Sequence, residues 1–200
     1  MFPLGLVLLP GAVVPLRLFE DRYLKLFEDL LAGDRRFGIV LIERGAETGG
    51  NDVRAGTACV ALMAGSSSQD DGTVLTLNVG MERVRVVEWL EEDPYPRAIV
   101  EQLEDGAADP SVDSVVDECR SLLTTLRALA SEMGADVGDE PVLSEDSIRT
   151  TFQIAFLASL QPFDQQRILE TDDPLVRAET LRGNLEETVE MLRLELALGR

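Results

Sequence analysis

The first 31 residues alternate short apolar runs with turn-forming residues and then change to a helical period. Apolar side chains crowd positions 2–9, and the turn dipeptide Pro10-Gly11 follows them. A short apolar run bounded by turn residues is typical of a strand buried on both faces, so we predict one here. A second strand is predicted over 13–18. It must lie at a sheet edge or a bulge, because Pro15 has no N–H for a strand ladder.

Apolar residues next recur three and four positions apart from 20 to 31, which predicts an amphipathic helix that Gly33 ends. The predicted apolar face of this helix consists of Tyr23, Leu24, Phe27, Leu30 and Leu31. Further strands are predicted over 37–42, 56–63, 74–79, 84–90 and 97–103, with Gly80 breaking the pattern between two of them. About seven short strands and one early helix favour a small barrel or strongly curved sheets.

Strand patterning stops at 104–110, and helical spacing begins after it. Asp109-Pro110 is predicted to cap a helix over 112–133, and Ser144 a second helix that Pro162 ends. A short helix over 164–170 and a long terminal helix opened by Asp173-Pro174 complete this half. The predicted fold class is therefore α+β, with a β-rich subdomain over 1–105 and an α-helical bundle over 106–200.

The charge of the chain limits its partners. There are 37 acidic and 18 basic residues, a formal charge of −19, and such a chain is repelled by phosphate backbones and anionic lipids. The sequence contains no run of about 20 apolar residues that would span a bilayer. We therefore expect neither nucleic acid nor membrane as a partner.

The two cysteines, Cys59 and Cys119, form no CxxC pair and suggest no disulfide framework. The apolar N-terminus lacks a preceding basic residue and is interrupted by prolines, unlike a signal peptide. We accordingly expect a cytoplasmic protein.

The side chains offer little catalytic chemistry. The chain has no histidine, which removes the commonest general base and transition-metal ligand. Its acidic clusters do not match the spacing of a calcium loop, and its glycines do not have dinucleotide-binding spacing. The sequence predicts no metal and no cofactor.

The order of several segments carries a family resemblance. FPLGLVLLPG, VVPLRLFEDRY, LFEDLL, RRFGIVLI, GTACVALM and LNVGMERVRVVEW follow one another in the first half, and LASLQPFDQQRILETDDPLVRAETL lies in the second. This order resembles the N-terminal, substrate-binding domain of the Lon protease family, in particular the free-standing bacterial proteins that consist of that domain alone. The resemblance implies a PUA-like pseudo-barrel followed by a helical bundle, in a region that engages protein clients.

The same resemblance places ATPase and peptidase chemistry in other domains. The chain has no Gly-Lys pair for a phosphate-binding loop. Its only lysine, Lys25, precedes every serine, whereas the family's peptidase needs a lysine downstream of its serine. We therefore predict that this chain is not an enzyme.

The leading hypothesis is a non-catalytic module that binds polypeptide clients or a protease partner through an apolar groove or an unpaired strand edge. The candidate binding residues are Phe19, Tyr23, Trp89 and Phe163. Packing on the helix or in the core is the alternative for Tyr23 and Trp89. Two other functions stay open. One is a carboxylate- or metal-dependent hydrolase in the polar loops 43–56 and 64–73. The other is a small-molecule or RNA binder of PUA-like fold, although the charge argues against RNA. The sequence gives no oligomeric state.

Overall fold

The structure is a computed structural model that describes residues 1–45, 52–107 and 109–198. Its contacts divide the chain into two compact units, Met1–Glu104 and Asp105–Arg200. The first unit contains six strands and one helix in the described residues, and the second contains four helices. The predicted α+β class is confirmed.

The first unit is built on one mixed sheet. Its elements are β1 (Phe2–Leu4), β2 (Val13–Leu18), α1 (Asp21–Ala32), β3 (Arg36–Arg44), β4 (Val53–Ser68), β5 (Val74–Leu90) and β6 (Arg97–Gln102). The strand order is β1-β3-β4-β5-β2, and β6 pairs with the second half of β5. Strand β1 runs parallel to β3, whereas the other pairs are antiparallel.

Strands β1 and β2 form the two ends of this order. No strand pairing joins them within the described residues, so the sheet is open there. The PUA-like pseudo-barrel therefore stays a prediction. The position of β2 at a sheet end explains Pro15, whose side chain faces solvent on a strand that pairs along one edge only.

The predicted break at Gly80 is wrong, because β5 continues through this residue from Val74 to Leu90. The turn after β1 packs directly against the strand here. Gly11 donates its N–H to the Gly80 carbonyl oxygen at 2.8 Å, and Gly80 donates to the Ala12 carbonyl oxygen at 2.9 Å. A Cβ on Gly80 would overlap the carbonyl oxygen of Leu9. Glycine therefore permits a close backbone approach at this position.

Two further predictions about the first unit need correction. The strand predicted over 2–9 ends at Leu4, and Val7, Leu8 and Leu9 are buried without strand structure. An apolar run indicates burial, but it does not determine the backbone conformation. In α1 the buried residues are Tyr23, Leu26 and Leu30, so the predicted face omitted Leu26, and the predicted Leu31 is exposed.

The helices of the second unit are α2 (Val112–Glu132), α3 (Ser147–Leu157), α4 (Pro162–Glu170) and α5 (Pro174–Ala197). Helix α2 packs along α5, and α3 contacts the other three. Asp173 caps α5 as predicted, accepting hydrogen bonds from the backbone N–H groups of Leu175 and Val176. No helix in the described ranges is long and apolar enough to cross a membrane.

Three predicted helix boundaries in the second unit are displaced by a few residues. Asp146, and not Ser144, caps α3 by accepting from Ile148 N–H at 2.9 Å. Pro162 opens α4 and does not end α3. Asp109 accepts from Ser111 N–H at 2.8 Å, one turn before α2 begins. Proline fits the first turn of a helix, so an N-terminal position is as compatible with Pro162 as a terminating one.

Candidate functional site

A cavity of about 210 Å³ lies where the sheet is open between β1 and β2. Residues of both end strands line it, together with the connection to α1 and the first turn of that helix. Its apolar lining consists of Phe2, Pro3, Leu4, Pro15, Leu16, Phe19 and Tyr23. We call this cavity the β1/β2 cleft.

Stacked aromatic rings form the floor of the β1/β2 cleft. The ring centroids of Phe2 and Tyr23 are 4.2 Å apart, and Phe37 meets Phe2 edge-on at 6.3 Å. The Arg22 guanidinium lies over the Tyr23 ring, 4.6 Å from its centroid. Burial raises the pKa of the Tyr23 phenol to about 12. The Tyr23 phenol is therefore uncharged at neutral pH.

Phe19 stands at the rim of the cleft with 58% of its surface exposed. It lies in the two-residue connection between β2, which ends at Leu18, and α1, which begins at Asp21. The alternation along β2 buries Leu18, so the next side chain points outward. An exposed aromatic ring beside an apolar cavity provides a contact surface for an apolar ligand.

The charged residues at the rim are paired with neighbours. The Arg17 guanidinium donates to the Asp71 carboxylate at 2.8 Å, and Glu20 accepts from Arg22 Nε at 3.1 Å. Thr73 donates to the same Asp71 carboxylate, and this holds the pKa of Asp71 below its usual value. Arg17 and Glu20 also line the cleft, and each is paired with a neighbouring side chain.

The four predicted binding residues separate into two groups. Phe19 and Tyr23 line the β1/β2 cleft together, whereas Trp89 and Phe163 are not among its lining residues. Trp89 lies near the end of β5 under the Arg54 guanidinium, 4.7 Å from the ring centroid. Phe163 lies in the first turn of α4 in the second unit and is 62% exposed.

Sequence reasoning missed the floor residue Phe2 and the wall residue Leu16. The sequence predicts both only as strand residues, because their proximity to Tyr23 depends on which strands form the ends of the sheet. The signal that could have found them is the pair of prolines, Pro3 and Pro15, which marks two strands as sheet ends.

The polar loops proposed for a hydrolase site are only partly described. Residues 46–51 of the loop 43–56 lie outside the described residues. Most of the segment 64–73 belongs to β4 and to the turn before β5. Among the described residues, no group of three or more histidine, cysteine or carboxylate side chains is arranged to hold a metal ion.

The family model of the ATP-dependent protease La (LON) substrate-binding domain matches residues 1–186 of this chain. The chain belongs to this family. The match includes both units of the fold and covers the part of the protease that binds substrates. The Lon substrate-binding domain is a non-catalytic module, separate from the ATPase and peptidase domains of the protease.

Curated relatives of this Lon domain are whole proteases. The chain is 26% identical over 191 residues to the Lon protease of Dictyoglomus thermophilum, covering 94% of this chain and 24% of the relative. It is 27% identical over 208 residues to Lon protease 1 of Herpetosiphon aurantiacus, covering 96% of this chain and 24% of the relative. The chain thus spans about a quarter of the length of these relatives.

Solved Lon N-terminal domains have the same fold. The crystal structure of a Lon N-terminal domain protein from Xanthomonas campestris has a TM-score of 0.64 at 27% identity, covering 90% of this chain and 94% of that one. The N-terminal domain of a Mycobacterium avium complex Lon protease has a TM-score of 0.66 at 17% identity, covering 92% and 96%. The second similarity is evidence of fold alone.

Proposed function

We propose that this Lon substrate-binding domain holds extended, apolar segments of client polypeptides in the β1/β2 cleft. The observation that carries the proposal is a cavity with a largely apolar lining between β1 and β2, the two end strands of the sheet, with the exposed Phe19 ring at its rim. Burial of client side chains there would supply the affinity, at about 25 cal/mol for each Å² of apolar surface removed from water. Unfolded clients expose such side chains, whereas folded proteins bury them.

The size of the cleft favours a peptide side chain over a small-molecule ligand. Sites for drug-sized molecules usually measure about 300–1,000 Å³, and this cavity holds about 210 Å³. The volume suits one large apolar side chain, with neighbouring residues of the client outside. This argues against the alternative of a PUA-like small-molecule site.

The two end strands of the sheet contribute to client binding mainly through the shape of the cleft and less through backbone hydrogen bonds. An extended peptide can add to an exposed strand edge. Here Pro3 in β1 and Pro15 in β2 each lack an N–H at the middle of their strand. Because two donors are missing, side-chain burial rather than strand addition would carry most of the binding free energy.

The charge of the chain favours basic clients. A formal charge of −19 attracts lysine- and arginine-rich segments and repels acidic ones. Salt screens such attraction beyond about 10 Å at 0.1 M ionic strength. Affinity for a peptide with both basic and apolar residues should therefore fall as salt is added. The loss of affinity caused by substituting Phe19 should be the same at low and at high salt.

Delivery to a protease is the second part of the proposal. The matched segment of the curated relatives lies within proteases about four times as long as this chain. We infer that a client bound here is presented to protease machinery. The cleft and its ligand do not depend on whether that machinery lies in the same polypeptide or in a partner.

The test is binding of a fluorescein-labelled, unstructured peptide that carries apolar and basic residues, measured by fluorescence anisotropy. Phe19→Ser should weaken binding about five- to thirtyfold, since a buried aromatic anchor contributes about 1–2 kcal/mol or more. Phe163→Ser is the matched control, because Phe163 is 62% exposed against 58% for Phe19 but lies in the other unit. Equal loss in the two variants, or no loss in Phe19→Ser, would disprove binding at the cleft.

A further inference from the structure

Strand β6 carries exposed apolar side chains on both of its faces. Ile99 is 50% exposed and Val100 40% exposed, although they point to opposite sides of the strand. In the described residues β6 pairs with β5 alone. Proteins usually protect such edges with proline, bulges or inward charges. Between Arg97 and Gln102, β6 has no proline and its charged residues are exposed. The irregularity in its pairing with β5 lies in β5, between Val86 and Glu88.

The backbone of β6 is directed so that its even-numbered residues face the open edge. Leu103, just after the strand, donates its N–H to the Arg83 carbonyl oxygen of β5 at 2.9 Å. Backbone groups alternate in direction along an antiparallel strand, so the odd-numbered residues of β6 point at β5. Ala98 and Val100 therefore present their N–H and C=O groups to the open edge. The Met1 α-amino group already donates to the Pro96 carbonyl oxygen at 2.6 Å, so the edge open to a partner begins after Pro96.

The side chains of β6 are complementary to themselves when the strand is reversed about Ile99. Antiparallel pairing of two copies at this register sets Arg97 opposite Glu101 of the second copy, and Glu101 opposite Arg97. Ala98 then meets Val100, and Ile99 meets Ile99. Opposite charges and apolar pairs directly across a strand pair are both favourable. A shift by one residue would set Arg97 opposite Gln102 or Val100 and lose both ion pairs.

We propose that this chain forms a symmetric dimer in which two β6 strands pair antiparallel about Ile99. The two-fold axis makes the interface isologous, with the same surface of each copy on both sides. Ala98 and Val100 exchange backbone hydrogen bonds, and the two Ile99 side chains meet at a close, non-hydrogen-bonded position. The sheet then continues from one copy into the next.

Neighbouring residues of β5 extend this complementarity. Arg85 of β5 lies opposite Glu101 in the register, and their charged atoms are 3.9 Å apart. In the dimer Glu101 would stand between Arg85 of its own chain and Arg97 of the other. On the opposite face, Trp89 lies across from Ala98 within one chain. In the dimer Ala98 would in turn lie across from Val100 of the second copy, which would form a continuous apolar row. The dimer thus joins apolar surface on one face and pairs charge on the other.

The first test is the mass in solution, by sedimentation or by light scattering between roughly 5 and 200 µM, where dimers of micromolar Kd change population. The wild-type chain should reach twice its 21.9 kDa mass. Ile99→Lys should be monomeric, because it sets two like charges opposite each other at the axis. A wild-type chain that stays monomeric, or an Ile99→Lys dimer of unchanged affinity, would overturn the proposal.

A charge exchange tests the register. Arg97→Glu and Glu101→Arg should each weaken the dimer about tenfold or more, since each sets like charges across the interface. The double variant should restore dimerisation, because the ion pairs reform with reversed polarity. A double variant that dimerises no more tightly than either single variant would disprove this register. The same result is expected if β6 pairs with an unrelated extended peptide instead of a second copy.

Disulfide trapping tests the axis directly. Ile99→Cys should form an intermolecular disulfide under mild oxidation, because residues facing each other in a non-hydrogen-bonded pair lie within disulfide reach. Leu77→Cys is the control, with 47% exposure at a site on β5 away from β6. The native Cys59 and Cys119 are buried, so they should not compete. Equal crosslinking of the two variants would contradict the proposed axis.

Discussion

Phe2 of β1 and Tyr23 of α1 stack with their ring centroids 4.2 Å apart, tilted by 38°. The contact joins the first strand of the sheet to helix α1, across 20 residues of intervening chain that include β2. It also forms the floor of the β1/β2 cleft. The buried Phe2 and the exposed Phe19 line the same cleft, so stability and the proposed client binding can be separated by substituting one or the other.

Phe2→Ala should destabilise the first unit by about 3–5 kcal/mol, because it removes a buried ring and leaves a cavity. Phe19→Ala, at the exposed rim of the same cleft, should change the free energy of unfolding little while weakening client binding. Denaturant titration followed by tryptophan fluorescence measures both, since Trp89 lies in the first unit. Equal destabilisation by the two variants would show that Phe19 is a packing residue.

The Tyr23 phenol should lose its proton only near pH 12, because burial raises its pKa to about 12. A folded-state pKa above the unfolded value means that stability is fully present below about pH 10 and is lost as pH rises through about 12. Tyr23→Phe should therefore flatten the decline of unfolding free energy over that interval. The chain has two tyrosines, so absorbance titration of a Tyr95→Phe variant follows Tyr23 alone. Ionisation of Tyr23 near pH 10 in the folded chain would contradict the described floor.

Gly80→Ala should destabilise the first unit by about 1–3 kcal/mol, the usual cost of inserting a methyl group into a packed interior. The added Cβ would overlap the carbonyl oxygen of Leu9 and disturb the hydrogen bonds that Gly80 makes with Gly11 and Ala12. Gly65→Ala is the control in the neighbouring strand, where nothing lies within 4 Å of the new Cβ. Thermal unfolding of both variants measures the difference, and a stable Gly80→Ala chain would refute the close approach.

Arg177→Met should destabilise the second unit by about 2–4 kcal/mol, because it leaves buried carbonyl groups without their donor. The Arg177 side chain is fully buried, and it donates to the Thr171 carbonyl oxygen and to the Asp105 carboxylate. Its guanidinium also lies over the Phe152 ring at 4.5 Å. Arg182→Met, one turn later on α5, should have little effect, because its bond to Glu118 is exposed to solvent. Chemical denaturation that gave equal effects for the two variants would contradict this difference.

The sequence predicted most elements because their signals are local. The edge position of β2 and the cap of α5 follow from the chemistry of one residue each, Pro15 and Asp173. The break expected at Gly80 was wrong, because a glycine that ends a strand and one that admits a neighbouring backbone have the same local sequence. Only the position of the turn at Leu9 distinguishes them.

The first residues of β5 illustrate a second limit. The alternation over 74–79 predicts that Val74, Thr76 and Asn78 share one face. It places Leu75, Leu77 and Val79 on the other face. It is the first face that is buried. The Asn78 amide is accommodated there by donating to the Thr76 hydroxyl at 2.9 Å and to the Val14 carbonyl oxygen at 3.2 Å. Alternation separates the two faces, but pairing with β2 decides which one turns inward.

By itself the sequence determined the fold class, most element positions, the family resemblance and the exclusion of histidine-based chemistry, because each depends on residue type and on spacing along the chain. Only the tertiary structure decided that Phe2, Phe19 and Tyr23 line one cleft and that Trp89 and Phe163 are not among its lining residues. It also decided that, within the described ranges, β6 pairs with β5 alone. These facts depend on which strands pair and on where the sheet stays open. Pairing between distant segments is set by the packing of the whole unit rather than by any local pattern.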